Sequence, residues 1–198
     1  MRWLIGAALF LTSPAAHAHM LNTGLGPFYD GLAHLFVTPE DMLPVIAIAL
    51  LGGLRGANFG RTLLFVLPVA WLAGSFAGRF SPVPLTLPVL TAALTVILGG
   101  LVAADRPLSV TLVAGCGLLL GLLHGLLNGS EFAKQHAIIS SSVGVSVALF
   151  VVVSLLAGQV TTVRAAWARL AVRVAGSWIA ATGLLMLGWT LRGSFAFN

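Results

Sequence analysis

Six apolar segments follow one another along this chain with only short polar breaks between them, and most are near the length that crosses a bilayer. Hydrophobic residues make up 59% of the 198 residues, and the mean hydropathy is +1.04. A soluble domain would expose too much apolar surface to water. We therefore predict an all-α protein, an integral membrane bundle of about six transmembrane helices joined by short connections. The predicted spans are residues 41–55, 59–79, 84–104, 108–128, 136–158 and 170–191.

The first residues form a separate segment, which we predict to be a secretory signal peptide over residues 1–18. A positive start precedes the stretch WLIGAALFL, which is too short to span a bilayer, and Ala16-His17-Ala18 satisfies the small-residue rule for cleavage. Cleavage there leaves His19 as the mature N-terminus, where its free amine and its imidazole can together chelate a metal. Residues 19–198 then form a single six-helix membrane domain.

The distribution of basic residues predicts how the chain is oriented in the membrane. Nine of the ten cations are arginines spread singly along the chain, so we expect topology control and no nucleic-acid partner, despite a pI of about 11.2. With the mature N-terminus outside, the inner loops carry six arginines and the outer loops three cations. This orientation agrees with an export signal, so we expect an N-out, C-out protein of the bacterial inner membrane. The inner residues are Arg55, Arg61, Arg106, Arg164, Arg169 and Arg173, and the outer ones are Arg79, Lys134 and Arg192.

In this topology the acids and histidines of the mature chain gather at the outer face, and only Asp105 lies inside. Imidazole and carboxylate together suit first-row divalent metals. A structural zinc site would more often recruit several cysteines, but the chain has only Cys116, so a transient and exchangeable site fits better. The outer residues are His19, Asp30, His34, Glu40, Asp41, His124, Glu131 and His136.

The end of the fourth predicted span, GLLHGLLNGSEF, carries the polar residues that we rank highest as ligands. At 100° per residue, Asn128 lies about 40° from His124 and Glu131 about 20° on its other side, so a continuous helix places all three on one face. A ridge of small residues lies beside them and favours close packing against another helix. The ridge is formed by Gly117, Gly121, Gly125 and Gly129.

The segment before the first span supplies the other half of the predicted site. Asp30 and His34 are one turn apart if this segment is helical. In TPED, Thr38 is placed as an N-cap, with Glu40 and Asp41 in the first turn, so we interpret those two acids as helix-start residues rather than ligands.

Serines 141, 142 and 146 lie in the outer half of the fifth span. One hypothesis is a hydroxyl-lined translocation path formed by Ser141, Ser142 and Ser146. The other is that they form interhelical hydrogen bonds, as serines in membrane helices most often do. An intramembrane hydrolase using such a serine with a histidine is a further alternative, but no nucleophile motif such as GxSxG occurs around them. We do not expect an enzyme.

The stretches GPFYDGLAHLFVTPEDMLPVIAIALLGGLRG and LLHGLLNGSEF resemble the HupE/UreJ family of small membrane proteins associated with hydrogenase and urease operons. The resemblance covers the mature chain and implies a nickel or cobalt permease. Carried over, His34 matches the second histidine of the family's first motif, while His124 and Glu131 match its second motif together with Gly125 and Gly129. Asn128 stands where that second motif has its second histidine.

We therefore expect a permease that captures a divalent transition metal at the outer mouth through His34, Asp30, His124 and Glu131, with Asn128 and His19 as further candidates. Ni²⁺ or Co²⁺ is favoured as the substrate, Zn²⁺ and Cu²⁺ are compatible with the ligands, and no organic cofactor is expected. The expected partners are the metal ion and the lipid bilayer, and contact with a second copy or an accessory protein is left open. The alternative is a membrane metal-binding or assembly accessory protein that does not transport.

Overall fold

The structure is a computed structural model that describes residues 23–80 and 87–196, and the side chains of residues 23–80 and 87–192. Within these ranges the chain forms helices joined by short connections, without strands. The predicted signal peptide and His19 lie outside the described residues. The helices are α1 (Pro27–Val37), α2 (Pro39–Arg55), α3 (Ala57–Gly78), α4 (Leu87–Ala104), α5 (Val110–Lys134), α6 (Ile138–Thr162) and α7 (Ala166–Ala196).

The prediction of a helical membrane bundle is confirmed. Among the described residues, α3 to α7 are each long and apolar enough to cross a membrane, and α1 with α2 forms a bent pair that makes a sixth candidate span. The outward surfaces carry large exposed apolar side chains, such as Phe65 and Trp178, as expected of a surface that faces lipid. Helix α5 continues to Lys134 rather than ending at residue 128, because Gly129 packs against α3 instead of terminating the helix.

The first predicted span, residues 41–55, lies within α2, and a sharp bend of 73° separates α2 from the preceding helix α1. Thr38 ends α1 and is also the N-cap of α2, with an extended backbone (φ −107°, ψ 93°). The ring of Pro39 disfavours a helical conformation at the preceding residue and removes an N–H, so the chain cannot continue α1 straight into α2. As predicted, α2 begins at the TPED motif.

Helix α2 is the centre of the bundle and contacts each of the other six described helices. Its apolar side chains are buried nearly all round, as expected of a helix with protein on every side. Two of its glycines, Gly52 and Gly53, admit side chains of α3 and α6. The fully buried members are Val45, Ala47, Ile48, Ala49 and Leu51.

The predicted glycine ridge on α5 packs directly against α3. A Cβ atom at Gly121 would lie 2.6 Å from the Cβ of Ala70, and Cβ atoms at Gly125 and Gly129 would collide with the backbone carbonyls of Trp71 and Ser75. The absence of side chains therefore sets the distance between the two helices.

The C-terminal end of α2 carries a second polar group. The guanidinium of Arg55 pairs with the carboxylate of Asp105 and donates to the carbonyl of Arg106 (2.9 Å), and Arg169 at the start of α7 pairs with the same carboxylate (3.0 Å). These contacts join the end of α2, the end of α4 and the start of α7. The distribution of arginines predicts that all three lie on the same side of the membrane. Asp41 lies at the opposite end of α2, roughly 21 Å away by helical rise.

Replacing Gly125 with Ala should destabilise the bundle by about 1–3 kcal/mol, because the new methyl group meets the backbone of α3, which cannot move alone. The measurement is the free energy of unfolding in detergent. Gly115→Ala on the same helix is the matched control, since no atom lies within 4 Å of its added Cβ. Equal stability of the two variants would contradict the close packing of α3 on α5.

Candidate functional site

The bend between α1 and α2 turns two residues that are seven positions apart toward each other. His34, near the end of α1, points its Nε2 at the Oδ2 of Asp41 across a distance of 3.4 Å. This is an ion-pair distance, and the pair does not meet hydrogen-bond geometry, since the His34 Nε2 has no hydrogen-bond partner among the described residues. The imidazole and the carboxylate face one another without a hydrogen bond between them.

Asp41 is the centre of the site. Its Oδ1 lies 2.7 Å from Nδ1 of His124, and its Oδ2 accepts a hydrogen bond from Nδ2 of Asn128 at 2.9 Å. Asp41, His124 and Asn128 are only 2%, 1% and 6% exposed. Since His124 and Asn128 are one turn apart on α5, a single helix face supplies both groups.

Asp41, His34, His124 and Asn128 form what we call the Asp41 cluster, and aromatic rings cover it. The ring of Trp71 from α3 lies 5.4 Å from the imidazole of His124, between centroids, and the ring of Phe132 meets His34 edge-on at 5.3 Å. Both aromatic residues are buried. Apolar walls lower the local dielectric, so interactions with a bound ion would be stronger than in water.

Several polar atoms close to the cluster have no hydrogen-bond partner among the described residues. With Nδ1 of His124 donating to the carboxylate, its Nε2 carries a free lone pair, and this atom is buried without a partner, as is Nε2 of His34. The indole N–H of Trp71 and the hydroxyl of Ser75 on α3 are also unsatisfied. Unsatisfied buried polar groups are costly and rare in folded proteins, and a bound ion or water is one explanation for them.

The donor set matches the chemistry of first-row divalent metals, which bind imidazole nitrogen and carboxylate oxygen. No group of three His, Cys, Asp or Glu side chains in the described part of the chain stands ready to hold an ion. In the cluster, the carboxylate oxygens are instead occupied by His124 and Asn128. Binding an ion would therefore require a side chain to rotate and exchange a hydrogen bond for a metal bond.

Two of the predicted ligands have other partners. The segment around Asp30 is helical, as the predicted spacing to His34 required, but the carboxylate of Asp30 accepts from the N–H and hydroxyl of Thr23 at 2.6 and 2.7 Å. The carboxylate of Glu131 pairs with Lys134 at 2.7 Å, and the side chain is 41% exposed. The contacts therefore bring together His34, His124 and Asn128 of the predicted set, around an acid outside it.

The serines of α6 divide into three environments. The hydroxyl of Ser141 donates to the carbonyl of Pro27, and the backbone of Ser141 packs against Gly31, so this serine fixes α1 on α6. The hydroxyl of Ser146 donates back to the carbonyl of Ser142 in its own helix. The hydroxyl of Ser142 is buried and has no partner among the described residues. Of the three, Ser142 alone keeps an unused donor.

The interpretation of Asp41 as a helix-start residue is incomplete, and this is where reasoning from the sequence missed the central group. Asp41 does lie in the first turn of α2, but its side chain points into the bundle, whereas Glu40 is exposed. The helical period indicates the inward direction of Asp41. This residue lies on the same helix face as Pro44, Val45 and Ile48, which are all buried.

The family is shown by comparison with known proteins. The sequence profile of the HupE / UreJ protein family matches residues 7–186, which is nearly the whole chain. The chain belongs to this family. Comparisons with curated proteins and with solved structures gave no match.

Membership in the HupE / UreJ family agrees with the described helices and makes this chain a multi-pass membrane protein. The family is one of membrane accessory or transport proteins rather than of enzymes. Both motifs on which the resemblance rested contribute side chains to the Asp41 cluster, His34 from the first and His124 with Asn128 from the second.

Asp41→Ala should lower the free energy of unfolding by about 3 kcal/mol in metal-free detergent, because His124 and Asn128 lose their buried acceptor. Glu40→Ala is the matched control, since Glu40 lies one position earlier in the same turn and is exposed. Chemical denaturation followed by tryptophan fluorescence measures both. If the two variants unfolded alike, Asp41 would not be the organising acceptor of the cluster.

Proposed function

We propose that this protein is a membrane permease for a divalent transition metal, with nickel favoured and cobalt next, and that the ion is captured by His34, Asp41 and His124. The observation that carries the proposal is the buried carboxylate of Asp41 facing two imidazoles, His34 at 3.4 Å and His124 at 2.7 Å. Two nitrogens and one carboxylate are a donor set typical of nickel, cobalt and zinc.

Exchange of the ion is supported by the contacts that the protein itself makes to the carboxylate. Asn128 and His124 satisfy both oxygens of Asp41, so the site does not collapse when the ion leaves. A permanent structural site would more often have four fixed ligands. The amide of Asn128 thus occupies a carboxylate oxygen that the ion would use. The metal–ligand bonds gained on binding are partly offset by the loss of this hydrogen bond.

The location of the cluster supports uptake from the outer side. An ionisable group inside a membrane protein most often marks a substrate path. The cluster lies at one end of α2, and the group formed by Arg55, Asp105 and Arg169 lies at the other. With the arginines inside, in the inner membrane of a bacterium, the mature N-terminus and the cluster face outward. In this orientation the carboxylate of Asp30, which is partly exposed, attracts cations toward the mouth.

The experiment is uptake of radioactive nickel by cells that lack their own nickel permeases and by sealed proteoliposomes with an imposed membrane potential. Asp41→Asn and His124→Gln should each lower the initial rate about tenfold or more, because each removes one ligand of the ion. His34→Gln should behave likewise. Competition with cobalt, zinc and copper measures the preference among metals.

Matched controls come from polar residues near the same end of the bundle. Glu40→Gln and His136→Gln change an exposed carboxylate and an exposed imidazole and should leave uptake unchanged. Protein abundance in the membrane is measured for every variant. If Asp30→Asn and Glu131→Gln abolished uptake while Asp41→Asn did not, the ligand assignment would be wrong.

The same proteoliposomes distinguish the permease from an accessory protein. The permease predicts that nickel accumulates inside vesicles and that the purified protein binds about one ion per chain. Binding of one ion per chain with no flux, even with the potential imposed, would contradict transport and favour the metal-binding or assembly alternative.

A further inference from the structure

A groove of about 260 Å³ opens between α3 and α6, away from the Asp41 cluster. It runs from Ala57 to Leu64 on α3 and from Val153 to Thr161 on α6. Helix α3 begins directly after Gly56, which follows Arg55, so the groove lies at the arginine end of the bundle. This places it at the end of the protein opposite the candidate metal site.

The walls of the groove are apolar except at one position. Its two hydroxyl groups are already used, because Ser154 donates to the carbonyl of Phe150 and Thr161 to that of Ala157, each at 2.6 Å. The small residues Gly60, Ala157 and Gly158 form part of its lining. Arg61 alone contributes a charge to the lining.

Arg61 has no acid to pair with. The chain contains five acidic residues. Four of them belong to the other end of the bundle, and the fifth, Asp105, already pairs with Arg55 and Arg169. The first turn of α3 has no acid of its own, and a cation near a helix N-terminus is disfavoured by the helix dipole. An anion in this groove would pair with Arg61 and would offset the unfavourable interaction between its charge and the helix dipole.

The dimensions of the groove fit a lipid chain. Its two walls span seven and eight helical steps, roughly 10 to 12 Å. Half of the hydrocarbon core of a bilayer is roughly 15 Å thick. Arg61 lies about 6 Å from the start of α3 and can extend its guanidinium toward the headgroups. A free phosphate ion would leave the apolar length of the groove unfilled, whereas the acyl chain of a phospholipid covers it.

We propose that the groove between α3 and α6 binds one anionic phospholipid, with an acyl chain along the walls and the headgroup phosphate on Arg61. With the arginine end inside, the bound lipid belongs to the cytoplasmic leaflet, where anionic lipids meet basic residues of membrane proteins. The lipid supplies the negative charge that this end of α3 lacks.

The test is native mass spectrometry of the full chain, purified in detergent and titrated with phosphatidylglycerol or with phosphatidylcholine of the same acyl chains. The wild type should retain one phosphatidylglycerol about fivefold more strongly than phosphatidylcholine, and Arg61→Gln should abolish that preference. Arg61→Lys should keep it, since the charge remains. Arg79→Gln, an exposed arginine at the opposite end, is the matched control.

A second variant blocks the groove without touching the charge. Gly158→Leu places a side chain where no atom lies within 4 Å of the added Cβ, so the fold should tolerate it while lipid retention falls about fivefold. Gly115→Leu, equally open but on α5, should have no effect. Equal retention of phosphatidylglycerol by the wild type, Arg61→Gln and Gly158→Leu would overturn the proposal. Displacement of the lipid by millimolar inorganic phosphate would also overturn it and indicate a free-anion site.

Discussion

The burial of the Asp41 carboxylate is the interaction on which the site depends. A carboxylate that is 2% exposed at the start of a membrane helix is tolerated only if donors reach both of its oxygens. His124 and Asn128 supply those donors from α5, and His34 faces the carboxylate from α1. A single acidic side chain thereby joins α2 to α5, and α1 places an imidazole beside it.

Two local features of the backbone bring these groups together. The Thr38-Pro39 step forces the bend that returns α1 across the start of α2, so that His34 faces Asp41. Glycines on α5 let that helix approach α3 until Trp71 covers His124. Neither feature belongs to the cluster, yet both determine its geometry, since the reach of a His or Asn side chain is only a few ångströms.

The two ends of helix α2 carry polar groups of different kinds. The end at Asp41 carries acid and imidazole under aromatic cover, and the end at Arg55 carries arginines that share one aspartate. A cation is attracted to the first and repelled by the second, so passage through the bundle would have to avoid the arginine group or open it. The arginine end suits anions instead, and the groove beside Arg61 is one place where an anionic headgroup can lie.

The sequence by itself determined the membrane bundle, the start of α2 and the glycine ridge, because apolar length, proline and glycine act locally. It also selected His34, His124 and Asn128. Only the tertiary structure decided which acid meets them. Asp30 and Glu131 satisfy the same spacing rules but turn to Thr23 and Lys134, whereas Asp41 looked like an ordinary helix-start residue. Its partners are 83 and 87 positions away, and a side chain's direction toward them depends on how the helices pack.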